Sequence, residues 1–183
     1  MVHTVGVADM KVSADRGDAI ITHALGSCLG IVVHDPVAGV GGLLHVMLPL
    51  STIDPKQAAC KPAMFVDTGV PMLFIAAYKA GAKKERLLVT VAGGANTKAN
   101  DDDDYFEIGK RNFIMLRKLL WKNGVLLHAH EVGGHDSRTV TLEVGTGNVL
   151  LRVNGSTRVL SAPPRARGSV ETGVETKEVH GGV

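Results

Sequence analysis

Short apolar runs broken by glycine-rich turns fill the first 50 residues: Val5 to Val12, Ala19 to Ala24, Leu29 to His34 and Gly42 to Met47. Runs of this length, rich in Val, Ile and Leu and bounded by turn residues, predict strands, with Gly41-Gly42 as a turn feeding the fourth. The period then changes. From Met64 to Ala80, the residues Met64, Val66, Val70, Leu73, Phe74, Ala77 and Tyr78 recur at three- and four-residue steps. Gly81 follows where a helix stops, so the pattern predicts a helix despite Gly69 and Pro71 near its start. Arg86 to Ala92 reads as a buried strand, and the loop from Gly93 to Asp104 leads to a second helix. There Asp104 and Glu107 have the spacing of a capping box, Ile108, Phe113, Leu116 and Leu120 form an apolar stripe, and Asn123-Gly124 closes the element. Val125 to Val132, Thr139 to Val144 and Asn148 to Val153 are strands again, the last two joined as a hairpin through Gly145-Thr146-Gly147.

Strand runs flank two helices without regular β-α-β alternation, which predicts an α+β fold: a mixed β-sheet sandwich with helices packed on the outside in α/β/β/α-like layers. The length of 183 residues suits a single domain, and a hydrophobic fraction of 45% supplies its core. After about Ser161 large apolar side chains become scarce among Pro, Arg, Gly, Glu and Thr, so the domain is expected over 1–160 and a disordered tail over 161–183.

Charge and aromatic content narrow the function classes. Lys+Arg 20 against Asp+Glu 18 leaves a net charge of +2, and aromatics make up only 4% of the chain. That combination supplies neither a strong field for a phosphate backbone nor stacking platforms for bases, so no nucleic-acid partner is expected. No stretch approaches the roughly 18 to 20 continuous apolar residues of a membrane span, and Met1 to Asp9 has no basic-then-apolar leader. The expectation is a cytoplasmic protein without membrane insertion. Cys28 and Cys60 are too few for a disulfide framework and are expected as free thiols.

The stretch with the most chemistry is Thr22-His23-Ala24-Leu25-Gly26-Ser27-Cys28-Leu29-Gly30, followed by Gly41-Gly42-Leu43-Leu44-His45. A cysteine at a strand-to-turn junction between Gly26 and Gly30 leaves its backbone uncrowded, so a substrate can approach the sulfur and main-chain N–H groups can face a developing oxyanion. The thiolate is the nucleophilic form, and it needs a base. His45, expected near the start of its strand, is the candidate base. His23 and His34 are rivals, although strand alternation turns His23 to the face opposite Thr22. A buried thiol beside a core histidine is the competing reading.

The chain resembles the CheD family of chemoreceptor glutamine deamidases. The resemblance rests on Thr22, Gly26-Ser27-Cys28, His34-Asp35-Pro36-Val37 and His45-Val46-Met47-Leu48-Pro49. It continues through Val66-Asp67-Thr68, Gly93-Gly94-Ala95, Ile108-Gly109-Lys110-Arg111-Asn112, and Val132-Gly133-Gly134 with Arg138. Ser137 stands where the family pattern leads one to expect a glycine, and Asp101 to Asp104 lengthens a loop. The resemblance implies Cys28, His45 and Thr22 as catalytic residues. Beside it, the turn itself offers Ser27 and the Cys28 N–H as oxyanion donors and Gly26 as a positioning residue, with a plain turn residue as the other reading of Ser27. The resemblance implies hydrolysis of a protein glutamine side-chain amide to glutamate and ammonia through a thioester on Cys28, with glutamate methyl esters open to the same attack. The implied partners are the cytoplasmic helical domain of chemoreceptors as substrate and a CheC-type phosphatase. A non-catalytic adaptor acting on that phosphatase and on receptors is the alternative, and a redox sensor a third. The expected substrate is a regular helix, which calls for an open groove beside Cys28.

Other polar clusters carry less. His128 and His130 share a strand face near Glu131 and His135, but match no known zinc spacing, so no metal site and no cofactor is expected. The Asp101 to Asp104 run lacks the spaced ligands of a calcium loop. Cys60 beside Lys61 has no neighbouring base, and Gly93-Gly94 and Gly133-Gly134 read as turns.

Overall fold

The computed structural model of the chain describes residues 1–96 and 107–164. Among the described residues, ten strands form two five-stranded mixed sheets. In the first, β1 (Val2–Val5), β3 (Ala19–Leu25), β8 (Arg138–Glu143), β9 (Val149–Val153) and β10 (Ser156–Ser161) lie in the order β1-β3-β8-β9-β10. In the second, β2 (Asp9–Ser13), β4 (Leu29–Asp35), β5 (Val40–Val46), β6 (Leu88–Gly93) and β7 (Leu127–Val132) lie in the order β2-β5-β4-β6-β7. The helices are the short α1 (Pro55–Cys60), α2 (Val66–Lys79) and α3 (Ile108–Lys122). The α+β sandwich read from the sequence is the architecture found.

Every residue of β4 and β5 is buried, because these strands are covered on both faces. Leu29, Ile31 and Val33 of β4 and Leu44 and Val46 of β5 join a core with Val70, Leu73 and Phe74 of α2 and Leu116 and Leu120 of α3. Val32 and Leu43, on the other face, meet Ile20, Val140, Leu142 and Leu151 of the first sheet in a second core. Both long helices thus cover the outer face of the second sheet. β6 and β7 pair in parallel, with α3 as their crossover.

Several boundaries differ from the sequence reading for local reasons. The run Val5 to Val12 is not one strand: Ala8 takes φ 57, and the chain passes from β1 in the first sheet to β2 in the second. Gly41-Gly42 is not a turn either, since both residues lie within β5. A Cβ at Gly41 would come within 2.8 Å of Leu142, and one at Gly42 within 3.0 Å of Leu73 and Val12, so glycine there permits close packing on both faces. His45 therefore ends its strand instead of beginning it.

Two elements were not expected. Asp54 accepts from the Gln57 N–H at 3.0 Å and Pro55 opens α1, a cap-and-proline signature in what read as a polar connection. Asn154-Gly155, with φ 49 and 83, turns β9 into β10, an Asn-Gly hairpin signal left unused. At the start of α3, Glu107 takes φ 39 and its side chain caps no N–H; it pairs with Lys110 at 3.1 Å. Asp104, the other half of the expected capping box, lies outside the described residues with the rest of the Asp101 to Asp104 run and the tail from 165 onward.

Candidate active site

One end of the sandwich gathers nearly all the motif residues. β3 belongs to the first sheet and β4 to the second, so Gly26-Ser27-Cys28 is the corner at which the chain changes sheets. His45 pairs across from Gly30 at the same end of the second sheet, and Gly93 pairs with Leu29. Gly30 carries no Cβ, and a built one would meet Leu25 at 2.8 Å and the Thr22 methyl at 3.5 Å, so Gly30, His45 and Thr22 face the same inter-sheet space. The expected alternation in β3 holds: Thr22 is fully buried and His23 exposed.

Proton counting fixes the state of His45. The Thr22 hydroxyl donates to the Val5 carbonyl at 2.8 Å and also lies 2.8 Å from His45 Nδ1. A hydroxyl has one proton, and it is spent on Val5, so Thr22 accepts from an Nδ1–H. The bare nitrogen is then Nε2, which is buried without a hydrogen-bond partner among the described residues. Burial lowers the His45 pKa from 6.5 to about 4, with no carboxylate to hold an imidazolium. At neutral pH this is a neutral imidazole with a bare Nε2, the form a general base must have.

Cys28 is half-buried against the inter-sheet core, whereas Cys60 is exposed. Burial pushes the Cys28 thiol pKa up, partly opposed by the residue's own backbone N–H. Thiol and imidazole are both neutral at rest, and among the described residues no hydrogen bond joins Cys28 Sγ to His45 Nε2.

The corner is held from outside at three successive carbonyls. Gly26 O accepts from Ala95 N at 2.8 Å, Ser27 O from Asn112 Nδ2 at 3.1 Å, and Cys28 O from Gly94 N at 2.8 Å. Asn112 Nδ2 also donates to Met47 O at 2.9 Å, so one buried amide ties the Cys28 corner to the end of the strand bearing His45. Gly93, at φ 118, lies where any Cβ would collide with the Cys28 carbonyl. Arg138 braces the neighbouring rim, donating to Gly133 O at 2.7 Å and Asp136 O at 3.1 Å. The Asn112 and Arg138 motifs were visible in the sequence, but their partners are up to 85 residues away, so their roles were not.

The rival candidates have other duties. His34 donates Nε2–H to the Val144 carbonyl at 3.0 Å, at the opposite end of β4 from the corner. Asp35 beside it takes a paired contact from Arg86 and the amides of Val37, Ala38 and Lys83, which together outweigh burial and hold its carboxyl well below the usual range. His128 reaches Ala162 O, His130 stacks on Phe113, His135 reaches Asn96 O, and Glu131 pairs with Arg138 and Arg158. Among the described residues, no three His, Cys, Asp or Glu side chains are grouped to hold a metal ion. Among the described residues, no helix is long and apolar enough to cross a membrane.

Fold and site together describe a two-sheet α+β protein with a threonine-oriented imidazole and a cysteine at one end. Comparison with known proteins places it further. Residues 47–153 match the family described as CheD chemotactic sensory transduction. A probable chemoreceptor glutamine deamidase CheD 1 from Syntrophus aciditrophicus is 46% identical over 151 residues, covering 82% of this chain and 93% of the relative. One from Solibacter usitatus is 48% identical over 156 residues, covering 85% and 91%. An archaeal relative, from Thermococcus kodakarensis, is 37% identical over 158 residues, covering 86% and 96%. This chain belongs to the CheD family. The family match begins at Met47, beyond Thr22, Cys28 and His45.

Proposed function

We propose that this chain is a protein-glutamine deamidase acting on the cytoplasmic helices of chemoreceptors, with Cys28 as nucleophile, His45 as base and Thr22 as the residue that orients it. The observation that carries the reading is the bare, buried Nε2 of His45, left so by a threonine whose single proton is committed to Val5. The names of the relatives supply the substrate class.

Cys28 Sγ attacks the glutamine carboxamide carbon while its proton passes to His45 Nε2. The oxyanion is met by the Cys28 N–H, with Ser27 beside it and Gly26 shaping the corner. Nε2–H then protonates the departing nitrogen, ammonia leaves and a thioester remains. Water, deprotonated by the same Nε2, attacks the thioester, and glutamate and the thiol are released. A glutamate methyl ester follows the same route with methanol as leaving group. Thr22 offers no negative charge to the imidazolium, so its contribution is tautomer and aim.

The test is peptide mass spectrometry of a chemoreceptor cytoplasmic fragment after incubation with wild type, Cys28→Ala and His45→Ala. Exchange of NH₂ for OH adds about one mass unit per converted glutamine. A gain at discrete glutamines with wild type, absent with both variants, supports the reading. No gain with wild type on a folded fragment that it nevertheless binds overturns it in favour of the adaptor role, in which a CheC-type phosphatase is the partner to test.

A further inference from the structure

The first turn of α3 serves the cysteine corner through Asn112, but its outer face serves nothing in the described fold. The helix reads Ile108-Gly109-Lys110-Arg111-Asn112-Phe113-Ile114-Met115-Leu116-Arg117-Lys118-Leu119-Leu120-Trp121-Lys122: five cations and no carboxylate, in a chain whose net charge is only +2. Ile114, Arg117, Lys118 and Trp121 stand at i, i+3, i+4 and i+7, which is one stripe, and all four are exposed. Trp121, the sole tryptophan, is 84% exposed, and Leu126 just beyond the Gly124 turn is 86% exposed. An open depression of ≈ 450 Å³ runs between them, lined by Ile114, Arg117, Lys118, Trp121 and Leu126 with no acidic residue. Arg117 is not loose: its guanidinium sits 5.9 Å over the Phe113 ring.

A large exposed aromatic flanked by cations calls for an occupant with apolar contacts and negative charge. A second copy of the chain is disfavoured, because two such faces would set cations against cations. A lipid surface is disfavoured by the arrangement. A helix lying on a membrane separates its apolar and cationic faces, whereas here Arg117 and Lys118 lie between the apolar anchors Ile114 and Trp121, and the truly apolar face of α3 is packed on the core. The interleaved pattern complements a helix carrying carboxylates between its own apolar positions.

Resting on the function proposed above, we infer that the outer face of α3 is a docking site for an acidic helix of the protein substrate, separate from the Cys28 corner. Asn112 touches that corner, and Arg117 and Trp121 follow five and nine residues later, roughly 7 and 13 Å along the axis at a 1.5 Å rise. A substrate helix lying along α3 therefore carries its carboxylates about five to nine residues from the target glutamine. The site selects regular helices, since a flexible segment does not hold that spacing.

The experiment compares wild type with R117E/K118E and with Trp121→Ala, all at exposed positions, after matching their thermal melts. Substrates are the receptor cytoplasmic fragment and a short unstructured glutamine peptide. Docking predicts that R117E/K118E raises KM for the fragment about tenfold or more with kcat nearly unchanged, and leaves the short peptide unaffected. An unchanged KM for the fragment, or an equal loss on both substrates, overturns the proposal. Trp121 fluorescence reads docking without turnover: a blue shift on adding a tryptophan-free receptor fragment, absent in R117E/K118E, supports it. A shift with phosphatidylglycerol vesicles and none with the fragment assigns the face to lipid and overturns it. If no form deamidates anything, the function proposed above fails, and the fluorescence result still decides the docking site by itself.

Discussion

His34 and His45 lie on neighbouring strands, both buried, each with one ring nitrogen hydrogen-bonded and the other without a partner. Burial lowers the pKa of both, yet only His45 lies at the end of the sandwich that carries Cys28. His34 spends Nε2–H on a backbone carbonyl that links β4 to the turn after β8, and its bare Nδ1 is packed against Gly147, where no Cβ would fit. Its role is to hold the two sheets together. His45 points its bonded nitrogen at a hydroxyl whose proton is already used, at the end where the chain crosses between sheets and a half-buried cysteine waits. An unpaired buried nitrogen costs roughly 1–3 kcal/mol in either place. The two differ in the end of the sandwich each occupies, His34 beside the turn after β8 and His45 beside the corner where the chain changes sheets.

The largest effects that test this contrast come from the reacting groups. Cys28→Ala and His45→Ala are expected to reduce deamidation by about a thousandfold or more, while His34→Gln melts earlier but keeps its turnover per folded molecule. Measuring initial rates beside thermal melts for the three variants separates the roles. If His34→Gln lost activity as steeply as His45→Ala, the contrast would collapse.

Next is Thr22. Thr22→Val keeps the shape, removes the hydroxyl, and leaves both Nδ1–H and the Val5 carbonyl unpaired, with an expected loss of about 1–3 kcal/mol of stability and at least about tenfold in kcat. Thr22→Ser retains the hydroxyl and is expected to recover most of both. Denaturant titration and steady-state kinetics on this pair check it. Asn112→Ala removes the tie between the Ser27 and Met47 carbonyls, and about a tenfold drop in kcat with KM little changed is expected because it loosens the aim of sulfur at base.

The smallest effect is on stability against pH. His45 has a folded-state pKa of about 4 against 6.5 for the free side chain, and His34 is also lowered. The unfolded chain therefore binds more protons in that window, so stability falls as pH drops from about 6.5 toward 4. His45→Asn is expected to flatten part of this slope and leave the share due to His34. Denaturation midpoints at several pH values give the slope directly, and an unchanged slope would show that His45 is not held neutral by burial.

Periodicity exposed the two long helices and most strands, because their apolar residues repeat at the spacing that burial requires. It merged β1 with β2 because nothing in Gly6-Val7-Ala8 announces a change of sheet, and it made a turn of Gly41-Gly42 because glycine serves tight packing as readily as turns. Cys28 stood out as a residue type in a suitable turn, and the family resemblance singled out Thr22 and His45, which lie 2.8 Å apart. The commitment of Thr22 to Val5 and the double hold of Asn112 were not legible, since each joins residues far apart in sequence through one side chain. Those long-range bonds are what orient the His45 ring and hold the Cys28 corner.

The most direct test of the central claim is a nitrogen-15 NMR titration of His45 in the wild-type protein. A neutral ring protonated at Nδ1, bare at Nε2 and titrating near 4 is the predicted result. A ring protonated at Nε2 would mean that Thr22 donates to the imidazole and that His45 has no bare nitrogen for Cys28, and one titrating at or above 6.5 would mean that burial does not hold it neutral.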